Sequence, residues 1–164
     1  MEPSLITGQA RRWAAEPFEP ATFEVGRNDI MRYAFAIGAT DRVHTDAEAA
    51  RAAGYRDLLA PPYFPYVIRM HAAHLGGRDR LELDGSATED VPPLDVHRAM
   101  AGETEIELGV PVFAGDTITL HKEIVDIYEK VGRSGPMAFV KTQFTFWNQH
   151  DELVMRERFT RIYR

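Results

Sequence analysis

The stretch Ala60-Pro61-Pro62-Tyr63-Phe64-Pro65-Tyr66-Val67-Ile68-Arg69-Met70-His71-Ala72-Ala73-His74-Leu75 decides the fold. Proline presets φ and lacks an amide donor, so it suits the first helical turn, where that donor has no intrahelical acceptor. A helix is therefore predicted over about 61–75, with Phe64, Val67, Ile68, His71 and Leu75 on its inward stripe and Gly76-Gly77 as its stop. Tyr63, Tyr66 and Met70 add apolar surface on other sides, so this helix reads as the most buried one.

A helix buried on most sides needs a surface wrapped around it, and the second half of the chain supplies one. Glu103 to Leu108 reads as a short strand and Thr117 to Tyr128 as a long one. The apolar phase of the long strand shifts between Leu120 and Val125, which predicts a bulge. Ala138, Val140, Thr142, Phe144 and Phe146 alternate on one face of the next strand, and Leu153, Met155, Phe159 and Tyr163 on the last. Gly132 to Pro136 and Asn148 to Asp151 are the hairpin connections. Helices first and antiparallel strands after is an α+β pattern. One buried helix with consecutive long strands implies a curved sheet wrapped around it, the hot-dog arrangement.

Upstream, a helix is predicted from Asn28, as cap, to Ile37, with Ile30, Tyr33, Ala34 and Ile37 on one face and Gly38 as its stop. Thr45 and Glu48 have capping-box spacing before a short Ala-rich helix ending near Gly54. Between them Ala39 to His44 is a polar loop. Arg78 to Met100 has no sustained period and reads as a long loop, either a lid or binding segment or a solvated excursion.

The length of 164 residues suits one domain, taken as 1–164. No apolar run approaches the roughly 20 residues of a membrane helix, and the first 15 residues lack the apolar core of a secretory signal, so a cytoplasmic location is expected. With no cysteine there is no disulfide, thiolate nucleophile or cysteine zinc site. A net charge of −6 argues against nonspecific nucleic-acid binding.

Three stretches, Tyr33 to His44, Ala53 to Pro65 and Glu129 to Phe139, resemble the MaoC-like hot-dog dehydratase and hydratase family, in particular its N-terminal-type, fatty-acid-synthase-like dehydratase branch. The resemblance implies (R)-specific hydration of an enoyl thioester, or dehydration of a 3-hydroxyacyl thioester, on coenzyme A or acyl carrier protein. No metal or redox cofactor is implied. In the family motif, Gly-Asp-x-Asn-Pro-hydrophobic-His, the Asp and His hold and deprotonate one water and return a proton to the α carbon. Amides at the start of the central helix polarise the thioester carbonyl.

Laid on that motif, Gly38 takes the glycine place and His44 the histidine place, while Ala39 stands where the Asp belongs. Asp41 offers a carboxylate three residues before His44. His44 and Asp41 are therefore the candidate catalytic pair. Each also has a local reading, His44 as a packed loop residue and Asp41 as a turn former. Tyr63 and Phe64 stand where active hydratases commonly carry His-Gly, and are the candidate substrate-binding residues through their amides.

His71 and His74, three apart, lack a third ligand at helical spacing, so no metal is expected. Arg133 in the glycine-rich turn is either a coenzyme A phosphate contact or simply part of a turn. The expected partner is a second hot-dog subunit, identical or different, because a lone sheet leaves exposed edges. The competing reading is a noncatalytic acyl-binding subunit paired with a catalytic one. A thioesterase is disfavoured because no acidic residue lies between Tyr63 and Gly76.

Overall fold

A computed structural model describes residues 4–75, 81–82, 87–96, 98–133 and 135–164, without the side chains of 73–75 and 89. The elements are α1 (Gly8–Ala15), β1 (Ala21–Glu24), α2 (Arg27–Ala36), α3 (Ala47–Ala52), α4 (Pro65–Leu75), β2 (Ala99–Leu108), β3 (Thr117–Gly132), β4 (Gly135–Trp147) and β5 (Leu153–Tyr163). The strands form one antiparallel sheet in the order β1-β3-β4-β5-β2.

The sheet's inward side chains meet α4. Phe64 and Ile68 pack with Ile118, Leu120, Phe144, Phe146 and Met155 in one cluster. Register explains this: Leu120 lies opposite Phe146, and Phe146 opposite Met155, so an apolar row crosses three strands over the helix. This is the predicted hot-dog arrangement. The bulge falls between Ile124 and Asp126, where Val125 turns outward and is 43 % exposed.

Several boundaries differ from expectation. The central helix begins at Pro65 instead of Pro61, because Pro61 to Phe64 make a tight turn in which the Phe64 amide donates to Pro61 O at 2.9 Å. The proline at the first helical position is thus Pro65. His71 is exposed instead of facing inward, its ring set edge-on to Phe23 at 5.0 Å. Leu75 and His74 have side chains outside the described residues.

Helix α2 is capped from Gly26, whose amide donates to Asp29 Oδ2 at 3.0 Å, so Asn28 is not its cap. Asp46, one residue after Thr45, caps α3 by accepting from the amides of Glu48 and Ala49. Asp46 occupies the Ncap position itself, and its carboxylate reaches both unpaired amides, so Thr45 is left out.

Helix α1, of 8 residues, and strand β1, of 4, are short elements whose apolar periodicity is weak. Strand β1 pairs with β3 through Ala21 to Glu24. Of the long loop, Thr88–Asp90 forms one 3-10 turn, and its last residues already belong to β2. No described helix is long and apolar enough to cross a membrane.

Candidate functional site

The motif loop is built from the end of α2. The Ile37 amide still bonds to Tyr33 O, Gly38 adopts φ 69°, and the Ala39 amide returns to Ala34 O at 2.9 Å. A positive φ suits glycine, and it turns the chain out of the helix there. Asp41 then caps a 3-10 turn, Arg42–His44, with Oδ1 accepting from the Val43 amide at 3.1 Å. Arg42 pairs with Asp46, the cap of α3.

His44 is tied to the segment that leads into α4. Its Nδ1 lies 2.6 Å from Leu59 O, and the Leu59 amide donates to Val43 O at 3.0 Å. A carbonyl oxygen only accepts, so Nδ1 carries the proton, and in the neutral ring Nε2 presents its lone pair. That is the tautomer a general base requires. Among the described residues, however, no hydrogen bond or ion pair joins the side chains of Asp41 and His44, which are linked only by the His44 amide donating to Asp41 O at 3.2 Å; the Asp41 carboxylate is exposed and occupied by its cap. Ala39 brings no carboxylate.

At the approach to α4, the two predicted substrate contacts separate. Phe64 is fully buried in the core, edge-on to Tyr33 at 5.7 Å, and its amide is used within the turn. Its side chain packs in the core, and its amide is engaged with Pro61 O. Tyr63 faces a cavity instead. Its ring stacks on Tyr66 at 5.4 Å, and its hydroxyl donates to Glu157 Oε1 at 2.9 Å. Burial, followed by the bond to Glu157, raises the pKa of this hydroxyl well above the usual tyrosine value.

That cavity, about 380 Å³, lies between α4 and the inner face of the sheet, and its walls include Tyr63, Tyr66, Arg69, Lys122, Glu157 and Arg161. Glu157 is 1 % exposed. Arg69 Nη1 donates to its Oε1 at 3.0 Å, and the guanidinium lies 4.0 Å over Phe144. Glu157 Oε2 is buried without a hydrogen-bond partner among the described residues. Lys122 pairs with Asp90.

Sequence reading did not single out this cluster. A signal was present: in Met155-Arg156-Glu157-Arg158-Phe159, the alternation that turns Met155 and Phe159 inward turns Glu157 inward too. Arg133 is exposed in its turn, and Trp147 is half-buried.

Over residues 12–157 the chain matches the family described as FAS1-like, dehydratase domain region. A UPF0336 protein of Streptomyces avermitilis is 36 % identical over 117 residues, 71 % of this chain and 69 % of the relative. The C-terminally truncated HadBC (3R-hydroxyacyl-ACP dehydratase) complex of Mycobacterium tuberculosis has a chain that superposes with TM-score 0.65 at 23 % identity, over 88 % of this chain and 91 % of that one. The MaoC-like dehydratase of Rhodospirillum rubrum superposes with TM-score 0.63 at 23 % identity, over 90 % of both chains. At such identities the structural likeness is one of fold.

Proposed function

The chain belongs to the FAS1-like dehydratase-region family and has the MaoC-like hot-dog fold, and from that premise we propose that it is a subunit of an enoyl-thioester hydratase or 3-hydroxyacyl-thioester dehydratase, working with a second hot-dog chain that carries the full catalytic pair. One observation carries this reading: the nearest carboxylate on the N-terminal side of His44, Asp41, is spent on capping the Arg42–His44 turn.

The chemistry explains why that matters. Adding water across a 2,3-double bond conjugated to a thioester is redox-neutral, so it needs a base, a proton donor and donors to the carbonyl oxygen, and neither metal nor redox cofactor. In the family, Asp and His share the water. With Ala39 in the Asp place, His44 alone can accept a proton but cannot fix the water between two groups. The substrate carrier is coenzyme A or acyl carrier protein.

Pairing is supported by β2. This strand is exposed along its length, bonds only β5, and ends the sheet among the described residues. Ile106 and Leu108, 47 % and 56 % exposed, lie on one face of it. Such an edge invites a second strand, extending the sheet across two subunits. The fold relative named above as a HadBC complex is likewise composite.

The test is an assay of the purified chain with crotonyl and longer enoyl thioesters, alone and mixed with a MaoC-like protein that keeps the intact motif. No turnover alone, with turnover or altered chain-length preference on mixing, supports the proposal. Robust hydration by the lone chain that collapses in both His44→Ala and Asp41→Ala overturns it in favour of a self-sufficient hydratase.

A further inference from the structure

Resting on the acyl-thioester reading, we infer that the chamber beside α4 receives an acyl chain bearing a hydroxyl group remote from the thioester, recognised by the free oxygen of Glu157.

The two carboxylate oxygens of Glu157 are unlike. Oε1 accepts from both Tyr63 Oη, at 2.9 Å, and Arg69 Nη1, at 3.0 Å. Oε2 has no partner among the described residues, although the side chain is nearly fully buried and lines the chamber. A buried acceptor without a donor is costly, and more so when charged. A plain methylene chain leaves that cost in place. A ligand with a donor removes it.

The surrounding charges choose the donor. Lys122 is paired with Asp90 and Arg69 with Glu157, while Arg161 has no ion pair among the described residues and lines the same chamber. Glu157, Phe159 and Arg161 alternate along β5, which sets them on the inner face. An ammonium would meet the Arg161 guanidinium, and a carboxylate would meet Glu157. A hydroxyl does neither: it donates to Oε2 and keeps lone pairs for Arg161. The rings of Tyr63, Tyr66, Phe144 and Phe159 supply apolar wall for the methylenes, and the volume lies within the range of about 300–1,000 Å³ common for small-molecule pockets.

The experiment measures binding of matched saturated coenzyme A thioesters, plain and ω-hydroxylated, from hexanoyl to dodecanoyl, by calorimetry on the purified chain. At the length that reaches the chamber, the hydroxylated member is expected to bind roughly tenfold tighter, the worth of one charge-assisted hydrogen bond. In Glu157→Gln, the amide oxygen stays with Tyr63 and Arg69, which both donate, so NH₂ takes the free position and the preference falls severalfold towards unity. Equal affinity of the pair at every length in the unaltered protein overturns the inference without touching the thioester reading. A preference untouched by Glu157→Gln, with the fold checked by thermal melting, overturns the role of Glu157. Failure of both members to bind at any length overturns the thioester reading itself, and this inference with it.

Discussion

Tyr63 Oη donates to Glu157 Oε1 across 2.9 Å, joining the turn before α4 to the middle of β5. The same oxygen accepts from Arg69, whose side chain is only 15 % exposed. Helix and sheet are therefore bound by a buried polar contact as well as by apolar packing. Removing the carboxylate leaves Arg69 charged and unpaired. Glu157→Leu should cost about 3–5 kcal/mol in denaturant unfolding, whereas Tyr63→Phe should cost only about 0.5–3 kcal/mol. The double variant Arg69→Met, Glu157→Leu should recover much of the loss, because no orphaned charge remains. A single Glu157→Leu with unchanged stability contradicts this account.

The motif loop makes a different prediction. Asp41→Ala removes the cap on the Arg42–His44 turn and should cost about 0.5–2 kcal/mol, while activity reconstituted with a catalytic partner stays near the unaltered level. Ala39→Asp restores a carboxylate at the family position and should raise hydration by the lone chain at least tenfold above background. Enoyl-thioester kinetics with each variant, alone and mixed, check both outcomes.

The free edge of β2 should control association. Ile106 and Leu108 project from one face of a strand with no second neighbour among the described residues. Replacing both with lysine places like charges where another strand would pair, a device that natural edge strands use against association. Sedimentation velocity should show a shift from dimer towards monomer, in isolation or with the partner, with the melting temperature of any remaining monomer changed little.

Acid stability should depend in part on Asp57. Arg27 Nε and Nη2 donate to its two oxygens at 2.9 and 2.7 Å, and the Leu58 amide adds a third bond. Led by the bond from Arg27, these hold the Asp57 pKa at about 2. An unfolded Asp titrates near about 3.9, so the folded pKa is depressed; the stabilisation is complete above that value and is lost as pH falls through about 2. Because Arg27 is 53 % exposed, the effect should be modest, within about 1 kcal/mol. Asp57→Asn should flatten the acid limb of the stability curve below about pH 4 and leave its slope above that unchanged.

Much of the fold was legible because its signals are local. Alternation along β4, from Ala138 to Phe146, and the phase slip before Val125 are properties of neighbouring residues, and both appear as expected in the sheet. Element ends were less legible. Whether Asn28 or Gly26, Thr45 or Asp46, begins a helix depends on which oxygen reaches which amide, a matter of angstroms that residue type alone does not settle.

By itself, the sequence determined the α+β order, the buried central helix, the strand faces and the replacement of the motif's Asp by Ala39. Only the tertiary structure decided what the polar residues do. Asp41 and His44 are near in sequence yet serve different partners, a turn amide and Leu59 O. Tyr63, Arg69 and Glu157 are 88 and 94 residues apart at the two contacts with Glu157, yet share one oxygen. The physical reason is that hydrogen bonds form over about 3 Å of space, whatever the distance along the chain.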